Sequence, residues 1–131
     1  MVKVELKKVI EFNTFLKGIE NNKLPISLAY KIFSIYEAIE PQVKFYYERL
    51  QLLIQNYGEL DENGNYKTSK DGSQILLIPE KISQCEKELK ELGDCMVELN
   101  MPLLNLEELS QVKDLNISLT EMSIIKPFIE K

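Results

Sequence analysis

The chain has 131 residues, of which 44% are hydrophobic and 28% are charged, and its formal net charge is −5. This balance is ordinary for a globular protein, and the length predicts a single domain over residues 1–131. The sequence has no histidine and two cysteines, which removes the commonest general base and leaves too few ligands for a zinc site.

The N-terminal segment alternates apolar and charged side chains from residue 2 to residue 7, which predicts a short half-buried strand. From Val9 the apolar residues are spaced by three or four, which predicts a first helix ending at Asn21-Asn22-Lys23. The N-terminus lacks the apolar stretch of a signal peptide, and no apolar run approaches the ~20 residues of a membrane span. We therefore expect a cytoplasmic protein with reduced thiols and no membrane partner.

The longest periodic segment runs from Ile26 to Tyr57 and predicts one amphipathic helix about 45–50 Å long. Pro25 is expected in its first turn, where a missing N–H costs nothing, and Gly58 is expected to end it in the left-handed conformation. Pro41 interrupts the pattern and leaves two alternatives, a kinked helix or two helices that meet there. We favour the kinked helix. The apolar stripe comprises Leu28, Ile32, Ile35, Ile39, Val43, Tyr46, Leu50, Leu53 and Tyr57.

Turn residues follow the long helix. Asn63-Gly64 is a strong hairpin signal, and the polar stretch that continues to Asp71-Gly72 predicts either a mobile loop or a ragged hairpin. Residues 74–78 predict a strand. Residues 80–92 then show heptad spacing of apolar residues, which predicts a second helix with Gly93 as its cap.

The C-terminal third predicts shorter elements: a strand within 95–101, a helical turn near residues 106–109, and a last helix that carries Met122, Ile125 and Ile129. Ser118 and Glu121 have the spacing of a capping box at the start of that helix. Together the elements predict an α+β, mostly helical fold. Its long kinked helix, about 26–57, packs with a second helix, about 80–92, beside a small antiparallel sheet of the N-terminal, 74–78 and 95–101 strands.

The cysteines and the turn at residue 61 do not predict a catalytic or metal site. Cys85 lies on the apolar stripe of its helix, which is typical of a core residue, and Cys95 has no neighbouring cation to lower its pKa. The oxygen-rich segment from Asp61 fails the EF-hand pattern, because the required glycine position holds Tyr66. We therefore predict no enzyme, no catalytic residue, no cofactor and no metal.

Carboxylate pairs one helical turn apart are a further possibility for chemistry. Glu37 with Glu40, and Glu88 with Glu91, are both predicted on helix faces that turn to water. A carboxylate-based metal enzyme stays an alternative only if clustered acids surround a divalent ion in the fold.

Aromatic residues concentrate on the long helix. Tyr30, Tyr36 and Tyr47 fall at the flanks of its apolar stripe, and Phe33 lies on the same helix. Aromatic side chains at the edge of a stripe are frequent in protein interfaces, so we take these four residues as a candidate interface. Packing within the chain is the alternative. The sequence has a single arginine and no basic cluster, so direct nucleic-acid binding is not expected.

Several short segments, spread over nearly the whole chain, are similar to segments of a known protein family. They are residues 24–32, Tyr57-Gly58-Glu59 with residues 61–65, Lys87-Glu88-Leu89 with Val97-Glu98-Leu99, and residues 119–122 with Pro127-Phe128-Ile129. In these segments the chain resembles a family of small uncharacterised proteins encoded by phages and prophages of Gram-positive bacteria. The resemblance implies a mobile genetic element as context, a cytoplasmic or virion-associated protein, and no catalytic residues.

Composition and resemblance lead to two functional hypotheses. The first is a non-catalytic protein that acts by protein–protein binding in the host cytoplasm and engages or inhibits a host defence protein. The second is a virion or tail assembly component that acts by self-association as a homo-oligomer.

Overall fold

Helices make up most of the computed structural model, which describes residues 1–130. The predicted mostly helical α+β fold is confirmed, with a long helix packed against other helices beside a small antiparallel sheet. Lys131, the last residue of the predicted single domain, lies outside the described residues. The elements are β1 (Val2–Glu5), α1 (Leu6–Ile19), α2 (Ile26–Tyr57), α3 (Ile82–Gly93), β2 (Met96–Leu99), α4 (Leu106–Ser110) and α5 (Leu119–Ile125), with 3₁₀ turns at Pro79–Lys81 and Lys126–Phe128.

The long helix α2 has the predicted bounds. Its buried residues, Leu28, Ile32, Ile35 and Ile39, recur every three or four positions and form the stripe that faces the core. The helix continues through Pro41, so of the two alternatives the structure has a single helix. Pro41 and Glu37 are both exposed, and water can therefore satisfy the Glu37 carbonyl that the missing proline N–H leaves free.

Pro25 differs slightly from the expectation, because it lies one residue before α2 as the N-cap, with an extended ψ of 146°. A proline at this point still costs no helical hydrogen bond, since the first N–H groups of a helix have no partner within it.

Helix α1 supplies the centre of the core. It buries Leu6, Val9, Phe12, Phe15, Leu16 and Ile19. The Phe12 ring stacks on Phe128, with ring centroids 4.0 Å apart and an interplanar angle of 4°. Both rings are fully buried, so the C-terminal 3₁₀ turn closes the core over α1.

The sheet consists of β1 and β2, which pair antiparallel with Val2 opposite Leu99 and Val4 opposite Val97. The prediction that residues 74–78 join this sheet is wrong. Ile75 instead bridges Thr68. An apolar run indicates that a segment is extended and partly buried, but it does not specify which strand the segment pairs with. Here two intervening turns keep residues 74–78 beside the end of α2.

Residues 57–78 fold back on themselves as a ragged hairpin, the second of the two predicted forms. Gly64 and Gly72 have φ of 81° and 74°, the left-handed conformation that the two tight turns require. Three backbone hydrogen bonds of 2.8 Å then close a cycle, since Lys67 donates to Glu59, Leu76 donates to Lys67 and Glu59 donates to Leu76.

Gly58 was expected in the left-handed conformation, and this expectation is wrong. Its φ of −70° and ψ of 139° are extended, and its N–H donates to the Ile54 carbonyl. A Cβ at this position would lie 2.6 Å from that carbonyl oxygen and 2.7 Å from the Tyr66 ring. Glycine is therefore required by close packing at the end of α2 rather than by a positive φ.

Two of the predicted helix ends also need adjustment. Gly93 is the buried last residue of α3, and Asp94 is the C-cap. Ile129 lies beyond the last helix and bridges Leu104 in an extended segment, because Lys126–Phe128 tightens into a 3₁₀ turn around Pro127. The predicted capping box is confirmed: the Glu121 N–H donates to the Ser118 hydroxyl, and the Ser118 N–H donates to the Glu121 carboxylate.

Candidate functional site

Three large apolar side chains near the start of α2 extend into solvent from one side of the helix. Ile26, Tyr30 and Phe33 are 90%, 72% and 58% exposed. Their spacing of four and three residues places them on one stripe, because successive residues of an α-helix are rotated by about 100°. That stripe lies opposite the buried stripe that holds α2 in the core. We call Ile26, Tyr30 and Phe33 the aromatic face.

The aromatic face is more than a scatter of exposed apolar residues. Single exposed apolar side chains are normal on a protein surface, whereas contiguous ones mark sites of association. The sequence predicted Tyr30 and Phe33 as interface residues. Ile26 was missed, because a first helical residue carries little periodic signal.

Tyr36, also predicted at the interface, is engaged within the chain. Its hydroxyl donates to the Glu20 carboxylate at 3.5 Å, and the Lys17 ammonium lies 5.1 Å from the centre of its ring. Burial, the negative charge of Glu20 and this hydrogen bond together raise the pKa of Tyr36 to about 12. Tyr36 thus links α2 to the end of α1.

Tyr47 is half exposed but lies apart from the aromatic face. It follows Phe33 by fourteen positions, a distance of roughly 20 Å along the helix axis, and its ring meets the edge of Tyr46 with centroids 5.4 Å apart. The structure therefore brings together Tyr30 and Phe33 of the four predicted residues and separates Tyr36 and Tyr47 from them.

A groove of about 560 Å³ opens between α1 and α5. Its first wall runs along α1 and the residues after it: Glu11, Thr14, Phe15, Gly18, Ile19 and Asn22. The opposite wall comes from α5 and the loop before it: Asp114, Leu115, Asn116, Glu121 and Ile124. The helical part of the first wall, residues 11–19, advances by about 1.5 Å per residue, so the groove is at least about 12 Å long. We call it the acidic groove.

The polar lining of the acidic groove has one sign of charge. Glu11, Asp114 and Glu121 contribute carboxylates, and among residues 1–130 no lysine or arginine lines the groove. Asp114 has a φ of 62°, a conformation that aspartate adopts more readily than most residues. Between these carboxylates lie apolar side chains, among them Phe15 and Ile124. The groove therefore combines an apolar floor with a rim that attracts cations.

Gly18 lines the acidic groove, in the last turn of α1. A Cβ at Gly18 would meet no atom of residues 1–130 within 4 Å. Glycine in a helix costs about 1 kcal/mol relative to alanine, and packing within the described chain does not require it here.

Two side chains that could take part in chemistry, Cys85 and Glu88, are wholly or partly buried. Cys85 is buried, and burial, followed by the charges of Glu88 and Glu86, raises the pKa of its thiol, which favours the inert protonated form. Glu88 does not lie on a solvated face as predicted. It is half buried, one carboxylate oxygen is enclosed, and hydrogen bonding to Glu88 raises the pKa of Tyr57.

Two further properties of the described chain bear on its interactions. Within residues 1–130, no three side chains of the metal-binding types His, Cys, Asp and Glu are grouped where they could share an ion. In the same range, the helices lack the combination of length and apolar composition that crossing a bilayer requires.

The acidic groove was not predicted from the sequence, because its two walls come from residues about 100 positions apart. Gly18 inside a periodic helix was the one local signal that could have indicated it. Comparisons with protein-family models, with curated proteins and with solved structures find no match to this chain.

Proposed function

We propose that this chain is a small phage- or prophage-encoded, non-catalytic protein that binds a host protein, most directly a defence protein, and inhibits it. It acts in the host cytoplasm, and it contacts its partner through the aromatic face of α2. The observation that carries the proposal is the exposure of Ile26, Tyr30 and Phe33 on one stripe of a long helix.

The aromatic face has the physical properties of a binding anchor. Tyrosine and phenylalanine bury a large area with few rotatable bonds, so they contribute to affinity at low entropic cost. Interfaces draw most of their binding energy from a few such residues near the centre of the contact. The backbone beneath Tyr30 and Phe33 belongs to a helix anchored in the core by Leu28, Ile32 and Ile35, so the face is rigid before it binds.

The charges around the aromatic face indicate the chemistry of its partner. The exposed side of α2 continues from Phe33 to Glu37 and Glu40 and then to Lys44, which pairs with Glu48, so this side is negative on balance, and the chain carries a net charge of −5. A complementary surface has an apolar recess for the three side chains with lysine or arginine at its rim. A protein surface of this kind fits better than a nucleic acid, whose phosphates the acidic side of α2 would repel.

The residue types present and the state of the two cysteines also support a role without catalysis. The chain has no histidine, its buried thiol is held protonated, and the second cysteine, Cys95, donates its S–H to the Glu91 carbonyl on the surface of α3. Shape and surface chemistry are therefore the means by which we propose it acts.

The test compares two variants in an affinity capture from lysate of a Gram-positive host. The first carries Tyr30→Ser and Phe33→Ser. The matched control carries Phe45→Ser, which changes a 42% exposed aromatic residue of the same helix, twelve positions after Phe33. We expect wild type and control to retain one host protein that the double variant loses. With that protein purified, calorimetry should show at least a 30-fold loss of affinity, equivalent to about 2 kcal/mol.

Two outcomes would contradict the proposal. Equal retention by the double variant and by wild type would exclude the aromatic face. Assembly of the purified chain into a ring or filament, measured by sedimentation velocity, would instead favour the virion or tail assembly role, for which self-association is sufficient.

A further inference from the structure

We propose that the acidic groove between α1 and α5 is a second binding site, and that it takes a cationic amphipathic peptide segment of a partner protein. The site is separate from the aromatic face, since its walls come from α1, α5 and the loop before α5 rather than from α2. The inference therefore stands or falls independently of the proposed function.

The shape of the groove favours a peptide over a compact ligand. Its α1 wall follows one helix face over residues 11–19 and continues to Asn22, which gives an elongated trough at least about 12 Å long. An extended peptide advances about 3.3 Å per residue, so about four residues fill that length.

The lining of the groove specifies the chemistry of the segment. Phe15, Ile19 and Ile124 offer apolar contacts along the floor. Glu11 and Asp114 stand on opposite walls, so a segment that lies between them meets a carboxylate on each side. The complementary peptide alternates leucine- or phenylalanine-like side chains, which contact the floor, with lysines or arginines, which contact the rim.

The absence of a side chain at Gly18 leaves room in the groove for a bound peptide. A Cβ at this position would meet no atom of residues 1–130 within 4 Å, and because Gly18 lines the trough, we expect a longer side chain there to occupy it. Glycine leaves that space free and lets a ligand approach the backbone of α1 closely. Because leucine is a better helix former than glycine, Gly18→Leu blocks the trough without threatening the fold, which makes it the decisive variant.

The experiment selects peptides from a random display library on the purified chain. We expect enrichment of sequences that alternate basic and apolar residues. Affinity for the best peptide, measured by fluorescence anisotropy, should fall at least tenfold in Gly18→Leu and at least fivefold in the double variant Glu11→Gln with Asp114→Asn. The matched control, Glu91→Gln, removes an exposed carboxylate of α3 and should leave affinity unchanged within twofold.

Each other outcome overturns the proposal. Enrichment of acidic peptides, absence of enrichment, or full binding by Gly18→Leu would show that the groove does not hold a cationic segment. Tight binding of the polyamine spermidine in place of any peptide, lost in Gly18→Leu, would assign the groove to a small organic cation instead. Loss of binding in the Tyr30→Ser and Phe33→Ser variant would place the peptide on the aromatic face.

Discussion

The stacked pair Phe12 and Phe128 provides the sharpest test of how the C-terminus completes the fold. The change is Phe128→Ala. Both rings are fully buried, with their centroids 4.0 Å apart, so truncation removes a large buried surface and leaves a cavity beside α1. Changes of this type cost about 3–5 kcal/mol.

That cost translates into a large thermal shift. Unfolding entropy of about 2.1 cal/mol/K per residue, applied to a chain of this length, means that each kcal/mol lowers Tm by about 3.6 °C. We therefore expect Phe128→Ala to lower Tm by about 11–18 °C, measured by circular dichroism at 222 nm. The matched control is Phe33→Ala, the same chemical change at a residue that is 58% exposed, and it should lower Tm by less than about 2 °C.

A Tm loss in Phe128→Ala as small as that in Phe33→Ala would refute the reasoning. It would mean that the C-terminal turn does not close the core, and the wall that α5 provides to the acidic groove would lose its support. A large loss in Phe33→Ala would show instead that this ring is packed within the chain and is not part of a free surface.

Three further predictions concern packing, capping and ionisation. Gly58→Ala should destabilise the fold by about 1–3 kcal/mol in urea unfolding, because the added methyl would overlap the Ile54 carbonyl and the Tyr66 ring. Ser118→Ala should cost about 1 kcal/mol in the same assay, since it removes the N-cap of α5. Ultraviolet titration should show one tyrosine that ionises near pH 12, and Tyr36→Phe should remove it.

The pH dependence follows from the sign of the Tyr36 shift. Unfolded tyrosine ionises near pH 10, while folded Tyr36 holds its proton to about 12, so the unfolded state gains stability as pH rises from 10 to 12. Tyr36→Phe should flatten the stability curve in that range. An unchanged stability curve in Tyr36→Phe would contradict the burial of Tyr36. Unchanged stability in Gly58→Ala would contradict the close packing around Gly58, and unchanged stability in Ser118→Ala would contradict the cap of α5.

Local sequence signals were sufficient for elements defined by neighbouring residues. The bounds of α2, the Asn63-Gly64 turn and the capping box at Ser118 were predicted correctly, because periodicity, turn chemistry and capping all act within a few positions. The long apolar stripe was also sufficient to identify the core-facing side of α2, whereas Tyr30, predicted at the flank of that stripe, is 72% exposed.

Features that depend on distant residues were missed or assigned incorrectly. Residues 74–78 looked like a strand of the main sheet, yet their pairing was set by turns that kept them near α2. Gly58 looked like a left-handed helix end, but the Tyr66 ring eight positions later fixes its role. Tyr36 resembled its neighbours in sequence, and only the approach of α1 showed that Glu20 engages it.

The central proposal is that the aromatic face of α2 binds a host protein. Photo-cross-linking in the host tests it directly, with p-benzoylphenylalanine placed either at Phe33 or at the control position Phe45. We predict one cross-linked host protein from position 33 and none from position 45. Identical adducts from both positions, or adducts from position 33 only to a second copy of this chain, would contradict the claim.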